Sequence, residues 1–314
     1  MGRLLTPAAT RTLMERTLVA GASGQAQNPL RTVLAPGLGW FATMPAFVRA
    51  GPAPALGAKL VTAFPGNATC GIPTHQALVV LVDHETGVPL AVVAGKTITE
   101  RRTAAVSVLA TQRLAARPRG TLALLGAGAQ ARAHLEAFVD ASLVTSARVW
   151  SRSAERAERL ALYGRTLGTD SSVAAEPAAA LAGADVIVTA TSAAQPFFAS
   201  QDIADGAHLN AVGACVADRR ELPASLVAEA AIYVDSREAA ARESGDIVLA
   251  MRELGDEGIS IRAELGEMLA DPTRCDPPAR VTIFESLGLG IEDVACAAYV
   301  LRCSDAPPEY LMPL

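Results

Sequence analysis

The octapeptide LLGAGAQA at residues 124–131 constrains the fold of this chain more than any other stretch. An apolar run, TLALL, leads into it, and ARAHLEAFVD, with apolar side chains on one face, follows it. A G-x-G-x-x-A turn between a buried strand and a helix is typical of dinucleotide-binding βαβ units. Gly126 permits the tight turn, Gly128 lets backbone amides approach a pyrophosphate, and Ala131 lets the helix pack close to the strand. The alternative is a tight βα turn that binds nothing.

Strand and helix patterns alternate from Thr121 onwards. The strand segments are apolar without polar alternation, as in sheets covered on both faces, and they read ARVW, ADVIVTAT, HLNAVGA and AIYVDS. Helical segments lie between them, at SAERAERLALYG and EPAAALAG. A later segment, RVTIFESLGLGIEDVACAAYVLR, reads as a strand, a glycine turn and a helix. This alternation predicts an α/β fold with a doubly wound parallel sheet.

The region before Thr121 reads as an α+β unit. RTVL and WFATMP flank a hairpin turn, and further strands follow at GAKLVTAF, HQALVVLV and PLAVVAG. A helix is predicted from about Thr99 to Ala116, and the sequence RPRG at 117–120 breaks it as a hinge would. We therefore predict a first domain over residues 1–117 and a dinucleotide-binding domain over 118–288. A C-terminal helix within 289–314 is expected to return to the first domain.

Composition limits the classes of binding partner and the cellular compartment that we expect for this protein. A formal net charge of −5 argues against nucleic acid and against an anionic membrane surface, and no apolar run approaches membrane-spanning length. Five cysteines, an odd count with no CxxC pair, indicate a reducing, cytoplasmic location. The N-terminus reads as an amphipathic helix with Thr6 as N-cap and Pro7 at its first position, not as a signal peptide. Its match to the myristoylation pattern is attributed to chance.

Histidines and cysteines do not predict a metal site. The histidines lack ligand spacing with each other or with cysteine, and they are His75, His84, His134 and His208. His84 is expected at the surface of a turn and His134 on a helix face, whereas His75 precedes a strand that enters the core of the first domain. Cys296 and Cys303 lie two helical turns apart, which indicates packing and not redox chemistry.

The segment VWSRSAER at 149–156 follows the second strand of the parallel sheet, where a dinucleotide-binding fold places a residue against the adenosine ribose. An acid at this place hydrogen-bonds the 2′-hydroxyl of NAD, whereas an arginine suits a 2′-phosphate. Arg152, and with it Arg156, therefore indicates NADP(H), and Ser151 and Ser153 add hydroxyl donors. The alternative is an arginine on the surface of a helix start, within a solvated face of alternating charge.

Three cations of the first domain suggest a carboxylate ligand. Lys59 lies in an otherwise uncharged strand, Arg102 in the first turn of the helix predicted from Thr99, and Arg31 at the head of the first hairpin. An arginine at a helix N-terminus makes a good carboxylate receptor. The alternatives are that Lys59 guards an edge strand and that both arginines are surface residues, and spacing alone favours these alternatives.

A family resemblance covers nearly the whole chain. It rests on segments that occur in this order: GAKLVTAFPGN, GIPTHQA, ITERRTAAVSVLAT, LLGAGAQARAHLEAF, VWSRS, ADVIVTAT, HLNAVGA, RREL, YVDSREAAARESGD, AELGEML and FESLGLGIED. Together they resemble the ornithine cyclodeaminase/μ-crystallin family. The resemblance implies a Rossmann domain inserted in an α+β domain that binds substrate and forms homodimers.

The resemblance also implies roles for individual residues. Lys59 and Arg102 match the carboxylate-binding lysine and arginine, Arg31 matches a further substrate-facing arginine, and Glu243 matches a substrate-pocket glutamate of the μ-crystallin branch. Cofactor-contacting positions of the family fall on Thr74, His75, Ala127, Ala129, Gln130, Ser151, Arg152, Ser153, Thr191, Val212 and Ser286. The expected cofactor site also includes Arg102, Gly126, Gly128 and Arg156. The family contains NAD-dependent cyclodeaminases, alanine dehydrogenases and NAD(P)H-dependent ketimine reductases, so membership alone leaves the reaction open.

One departure from the family pattern separates these reactions. In cyclodeaminases a V-G-G-D motif after the fifth strand carries a catalytic aspartate, and here the motif reads VGAC, so Cys215 occupies that substrate-binding place. A thiol is a poor substitute for a carboxylate that exchanges protons near neutral pH. Cyclodeaminases also favour NAD and an acid where this chain has Arg152. Both differences favour the reductase branch; a reactive nucleophilic role for Cys215 is the less favoured alternative.

We therefore expect an oxidoreductase that reduces a cyclic α-imino acid with NADPH, NADH being possible. Lys59 and Arg102 would hold the substrate carboxylate, and Glu243 would stabilise the iminium. The open alternatives are an enzyme acting on open-chain imines, like alanine dehydrogenase or iminosuccinate reductase, an ornithine or lysine cyclodeaminase, and a non-enzymatic NADPH-binding protein. The expected partners are a small imino or amino acid and a second copy of the chain, with no nucleic acid, membrane or metal.

Overall fold

The structure is a computed structural model, and it describes residues 1–49, 54–255, 258–274 and 276–304. Contacts divide the chain into two compact units. The first unit contains Met1–Arg102 and the chain from Gly288 onwards, and the second contains Thr103–Leu287. The first boundary lies inside a helix, Gly95–Leu114, eight residues into it and not at the 117–120 segment.

The first unit is an antiparallel sheet with helices. Its helices are α1 (Pro7–Ala22), the beginning of α2 (Gly95–Leu114), α10 (Gly290–Cys303) and a short 3₁₀ helix (Pro65–Cys70). Its strands are β1 (Ala26–Gln27), β2 (Thr32–Leu34), β3 (Trp40–Val48), β4 (Ala55–Ala63), β5 (His75–Val82) and β6 (Pro89–Ala94). The sheet order is β1-β3-β4-β5-β6, with β2 also paired to β3, and the neighbouring strands run antiparallel.

One face of this sheet forms a core with α10. Helix α10 contacts β3, β4 and β5, and α1 contacts α10. The strands alternate as a half-covered sheet requires: Val61 and Val79 are buried, whereas Leu78 on the opposite face of β5 is 47% exposed. The predicted hairpin is present as β2 and β3, and Thr6 caps α1 with Pro7 in its first turn, as predicted.

The second unit contains the parallel sheet. Its strands are β7 (Gly120–Leu125), β8 (Val144–Trp150), β9 (Asp170–Val173), β10 (Val186–Thr189), β11 (His208–Ala211), β12 (Ala231–Val234), β13 (Ile261–Glu264) and β14 (Thr282–Glu285). Its helices are the rest of α2, α3 (Ala129–Asp140), α4 (Ala154–Thr166), α5 (Pro177–Leu181), α6 (Ala224–Glu229), α7 (Arg237–Glu243), α8 (Gly245–Leu254), α9 (Leu265–Ala270) and a 3₁₀ turn (Ser200–Asp202).

The order of these strands confirms the predicted doubly wound sheet. It is β13-β12-β14-β11-β10-β7-β8-β9, and each neighbouring pair is parallel. The chain begins in the middle at β7, moves outwards through β8 and β9, and returns on the other side of β7 at β10. The direction of winding therefore reverses between β7 and β10. In open parallel sheets, ligands bind outside the carboxyl ends of the strands at such a reversal point.

The described thiols are unpaired with each other. Cys70 and Cys303 are exposed, Cys215 is half-buried and Cys296 is buried, and Cys275 lies outside the described residues. Burial and the neighbouring Asp293 and Glu292 raise the pKa of the Cys296 thiol, which makes that thiol unreactive. Within the described ranges no helix is long and apolar enough to cross a membrane. The same ranges contain no group of three His, Cys, Asp or Glu side chains suited to a metal ion.

Candidate active site

The glycine turn lies at the reversal point of the parallel sheet. Gly126 has a φ of 119°, and a Cβ there would lie 2.4 Å from the carbonyl oxygen of Ala190, which follows β10. Gly126 is therefore required by backbone conformation and by close packing of the two loops. Gly128 is the N-cap residue of α3, and among the described residues a Cβ at this position would meet no atom within 4 Å apart from its own chain neighbours. The packing of the protein alone does not explain Gly128.

The first turn of α3 contains the other predicted residues of the glycine turn. Ala129 and Gln130 open the helix, and Ala127 packs against the core beneath it. The backbone N–H groups of a first helical turn have no partner within the helix, and they favour an anion. His134, expected on a helix face, is fully buried; its Nδ1 donates to the Gln130 carbonyl (2.8 Å), and its Nε2 accepts from the Ser107 hydroxyl (2.9 Å). Burial lowers its pKa to about 4, so His134 is neutral at physiological pH.

The end of β8 presents the predicted ribose-side residues. The Arg152 Nη2 atom lies 3.5 Å from Ser192 Oγ, in the loop after β10, so the exposed guanidinium extends from β8 across towards β10. Ser153 has a structural role as well, since its Oγ accepts the Arg156 N–H (3.3 Å) as N-cap of α4. Ser151 Oγ accepts the Ser153 N–H at 3.3 Å, and the Arg156 side chain is exposed.

The remaining predicted residues of this unit follow neighbouring strands. Thr191 follows β10, Val212 follows β11 and Ser286 follows β14, so all three lie at the carboxyl edge of the sheet. The Ser286 hydroxyl is buried, and no hydrogen-bond partner for it is found among the described residues. Cys215 is half-buried in the loop after β11, and Glu243 is the half-buried last residue of α7.

Three carboxyl groups are buried at the same edge, and sequence reasoning missed them. They are Glu221 (0% exposed), Asp246 (0%) and Glu285 (2%). Asp246 Oδ1 accepts the N–H groups of Glu221 and Leu222, both at 2.7 Å, and Ser244 Oγ donates to Glu285 Oε2 at 3.1 Å. Burial and the nearby Glu221 raise the pKa of Asp246 to about 8, and burial and Asp246 raise that of Glu285. Asp246 and Glu285 therefore hold their protons to higher pH than exposed carboxyl groups do.

Replacing Asp246 with asparagine should flatten the pH dependence of stability. The folded-state pKa of about 8 exceeds the usual 3.8, so the folded protein keeps a proton that the unfolded chain releases. Stability is consequently lost as the pH rises between these values, by about 3 kcal/mol or more in total. An asparagine side chain has no proton to lose, and its carbonyl can accept the same two N–H groups. Urea unfolding from pH 5 to 9 measures the slope; exposed Asp170→Asn is the matched control, and slopes equal to wild type in both variants would contradict the prediction.

The first unit buries two of the predicted cations beside two acids. Lys59 is 2% exposed, and its Nζ atom lies 3.2 Å from Asp293 Oδ1. Arg102 is 5% exposed; its Nη1 atom lies 2.9 Å from Glu292 Oε2 and its Nε atom 3.5 Å from Asp293 Oδ1. A Cβ at Gly288 would lie 2.3 Å from Arg102 Nη1, so glycine there makes room for the guanidinium. Lys59 and Arg102 thus share Asp293 in one buried network.

This network corrects three expectations. Helix α2 begins at Gly95, so Arg102 is its eighth residue, and the helix N-terminus does not lie beside it as predicted. Gly95, the first residue of α2, packs closely on β5, where a Cβ on this glycine would lie 2.7 Å from that of Ala77. Lys59 does not guard an edge, since β4 pairs with β3 and with β5. Arg102 is not a surface residue either.

The electrostatics of Lys59 involve further predicted residues. Burial lowers the pKa of Lys59, Asp293 opposes that shift, and the cations Arg102 and Arg31 lower the pKa further. The pKa of His75 is also lowered, by desolvation and then by Lys59. His75 lies at the exposed start of β5, where Nδ1 is 3.2 Å from Thr74 Oγ1 and the ring packs edge-on against Trp40. Arg102, Arg31 and His75 therefore each interact electrostatically with Lys59.

The acids Glu292 and Asp293 are the further residues that sequence reasoning missed in this unit. They lie in the first turn of α10, where acids commonly favour the helix dipole at the surface. The available signal was their place inside an otherwise apolar segment, LGLGIEDVACAAYV. Two buried acids in such a segment require buried cations, and Lys59 and Arg102 are those cations.

A parallel sheet with a reversal point, a glycine turn at that point and a separate antiparallel unit define the class: an α/β protein of the Rossmann type. Within that class the chain belongs to the ornithine cyclodeaminase/mu-crystallin family, whose sequence model matches residues 3–304. The resemblance read from the motifs is thereby confirmed.

The chain is similar over most of its length to individual proteins of known name or structure. The chain is 42% identical over 284 residues to ketimine reductase mu-crystallin of the mouse, Mus musculus, covering 89% of this chain and 86% of the relative. The structure is similar to that of Thermococcus litoralis Δ1-pyrroline-2-carboxylate reductase in complex with NADH and L-proline (TM-score 0.89, 32% identity, 95% and 93% of the two chains). It is also similar to an archaeal alanine dehydrogenase dimer with bound NAD (TM-score 0.88, 29% identity, 96% and 92% of the two chains).

Proposed function

We propose that this protein is an oxidoreductase that reduces the C=N bond of a cyclic α-imino acid with NADPH. Δ1-Piperideine-2-carboxylate and Δ1-pyrroline-2-carboxylate are the substrates, and L-pipecolate and L-proline are the products. The observation that carries the proposal is the burial of Lys59 beside Asp293 and of Arg102 beside Glu292. The other unit of the same chain has the dinucleotide-binding glycine turn. The relatives that reduce ketimines and pyrroline carboxylate, by their names, support the same reaction.

The residues of the second unit fit a dinucleotide. The open side of Gly128 and the first-turn N–H groups of α3 suit a pyrophosphate, and the buried hydroxyl of Ser286 offers a donor to a ligand. Arg152, with Ser151 and the loop after β10 beside it, suits the additional phosphate of NADPH. When bound, the cofactor supplies hydride from C4 of its nicotinamide.

The charged residues of the first unit fit an α-carboxylate. Arg102 binds it with paired hydrogen bonds, and Lys59 adds a second positive charge, with Arg31 as a further cation. Asp293 and Glu292 hold Arg102 and Lys59 so that their charges are in place before substrate arrives. Fixing the carboxylate orients the imine carbon, and that orientation supplies much of the rate acceleration.

Protonation of the imine nitrogen makes its carbon a hydride acceptor. The lowered pKa of Lys59 makes its ammonium a stronger acid than an exposed lysine, so Lys59, directly or through water, donates this proton. Glu243 stabilises the resulting iminium by its negative charge. Cys215 stands where cyclodeaminases have an aspartate, and in general a thiol is a poor substitute for a carboxylate that exchanges protons near neutral pH. This replacement argues for reduction and against ring closure with loss of ammonia.

The test is a comparison of substrates with the purified protein. With Δ1-piperideine-2-carboxylate or Δ1-pyrroline-2-carboxylate as substrate, the absorbance of NADPH should fall rapidly. The absorbance of NADH should fall more slowly with the same substrates. A higher rate with pyruvate plus ammonia than with either cyclic substrate would contradict this function and show that the enzyme reduces open-chain imines. Ammonia release from L-ornithine or L-lysine with catalytic NAD would instead show a cyclodeaminase. Cofactor binding with no turnover of any of these compounds would contradict enzymatic function.

The exposed face of the antiparallel sheet fits a second copy of the chain. Leu78 on β5 pairs with Leu60 and Ala94, and the neighbouring row contains Val80 and Val92. Leu78 is 47% and Val92 59% exposed, although both belong to an apolar surface of adjacent strands. A contiguous apolar patch of this kind marks an interaction surface. We therefore expect this face to form the homodimer interface.

Replacing Leu78 with glutamate should yield monomers. A carboxylate placed in a buried apolar interface loses its hydration without gaining a counter-ion, and this cost destabilises the dimer. Light scattering after size exclusion should report twice the chain mass of 32.4 kDa for wild type and the single mass for the variant. Leu162→Glu, at a similarly exposed leucine on α4, is the control that should stay dimeric. A dimeric Leu78→Glu protein, or a monomeric wild type, would refute this interface.

A further inference from the structure

Glu221 connects two loops at the carboxyl edge of the parallel sheet. Its Oε1 atom accepts the N–H of Thr191 (2.7 Å), two residues after the end of β10, and its Oε2 atom accepts the N–H of Gly213 (2.9 Å), two residues after the end of β11. Both oxygens of one fully buried carboxyl group are thus used on backbone donors of two different loops. A Cβ at Gly213 would lie 2.3 Å from Glu221 Oε2, so glycine permits this close approach.

The position of Glu221 is set by a second layer of buried contacts. Asp246 accepts the N–H of Glu221 itself, and Gly245 donates its N–H to the Ala214 carbonyl at 3.2 Å. A Cβ at Gly245 would lie 1.7 Å from the carbonyl oxygen of Arg219, so only glycine fits there. The segments VGAC, RREL and SGD, distant in sequence, therefore form one buried hydrogen-bonded assembly.

These loops contain Thr191 and Val212, which fall on cofactor-contacting positions of the family according to the resemblance. Thr191 belongs to the loop beside the reversal point, and Gly213 is the residue directly after Val212. A buried, charge-assisted hydrogen bond is short and stiff, so it fixes the backbone that it binds. The carboxyl group of Glu285 lies in the same buried cluster and accepts a hydrogen bond from Ser244. Among the described residues, no hydrogen bond joins it to either of the two loops.

We propose that Glu221 is a positioning residue for the nicotinamide cofactor: by bridging the Thr191 and Gly213 amides it holds the loops after β10 and β11 in the conformation that binds NADPH. This inference rests on the proposed function, because it assumes that these loops contact the cofactor. It makes Glu221 necessary for cofactor affinity, although the side chain itself is buried beneath the loops and touches no ligand.

The test compares Glu221→Gln with Glu285→Gln, an identical isosteric change in the same buried cluster. Glutamine retains one oxygen acceptor, and its NH₂ group opposes the second backbone donor. We expect the Kd for NADPH, from cofactor fluorescence on binding, to rise about tenfold in Glu221→Gln, the effect of one lost charge-assisted hydrogen bond. The KM for the imine should stay within about twofold of wild type in both variants, as should the Kd of Glu285→Gln.

The melting temperature without cofactor separates positioning from general stability. A merely structural role would lower the melting temperatures of both variants and leave Kd unchanged in the folded protein, and that result would overturn the inference. Equal Kd changes in the two variants would also overturn it. If Glu221→Gln does not fold, Glu221→Asp, whose shorter chain cannot span both donors, takes its place with the same expectation. Wild-type protein that binds neither NADPH nor NADH would instead contradict the proposed function itself.

Discussion

Replacing Arg152 with glutamate is expected to reverse the cofactor preference. The exposed guanidinium at the end of β8 is the cation proposed to bind the 2′-phosphate, and a carboxylate at the same position repels that phosphate and accepts the 2′-hydroxyl of NADH. Loss of a charge-assisted pair costs about 1.5–3 kcal/mol, so kcat/KM with NADPH should fall about 100-fold. The value with NADH should stay equal or rise.

Arg159→Glu provides the matched control for this reversal. Arg159 is an exposed arginine seven residues further along, paired with Glu155 on the solvent side of α4. The charge change is identical, so a general effect of net charge on NADPH association would appear in both variants. Steady-state kinetics with each cofactor at fixed imine concentration measure the two ratios. An Arg152→Glu protein that retains the wild-type preference would remove Arg152 from the cofactor site.

Replacing Arg102 with lysine is expected to lower kcat/KM for the cyclic imine about 100-fold, mainly through a higher KM. Lysine keeps the positive charge beside Glu292 and Asp293, so the buried acids retain a counter-ion. It cannot make the paired hydrogen bonds that a guanidinium offers a carboxylate. Arg102→Ala is the poorer variant, because it would remove the guanidinium that contacts both Glu292 and Asp293 and cost about 3–5 kcal/mol of stability.

Arg101→Lys, the same change one residue earlier in α2, is the control for Arg102→Lys. The KM for NADPH serves as an internal reference and should remain within about twofold of wild type in both variants, because each change keeps the positive charge of the side chain. An Arg102→Lys enzyme with unchanged imine kinetics would show that the buried network does not bind substrate. A rise in the KM for NADPH alone would place Arg102 at the cofactor.

The sequence predicted those parts of the fold that local patterns determine. The apolar runs TLALL and VIVT became the buried parallel strands β7 and β10, because such runs without polar alternation fit only a sheet covered on both faces. The glycine turn was equally readable, since Gly126 needs a positive φ. The short strands β9 and β13 escaped prediction, because four residues such as DSSV carry too little hydrophobic pattern.

The site was predictable as far as single residues, and not as networks. Lys59 was notable as a lone charge in an apolar strand, but its partner Asp293 lies 234 positions further along the chain. Asp246 and Glu285 could equally have been surface acids, since residue type does not reveal burial. The predicted helix start lies four residues after the observed start, so Arg102 does not lie in the first turn, where the prediction placed it. Pairing across long sequence separations determines these environments, and one sequence does not contain that information.

The central claim is hydride transfer from NADPH to the carbon of a cyclic ketimine, and isotope transfer tests it most directly. NADPH deuterated at C4, prepared separately with the label on each face, is incubated with the protein and Δ1-piperideine-2-carboxylate, and the product is analysed by mass spectrometry and chiral chromatography. We expect L-pipecolate with one deuterium at C2 from one labelled face and none from the other. Unlabelled pipecolate from both cofactors, or no pipecolate at all, would contradict the account.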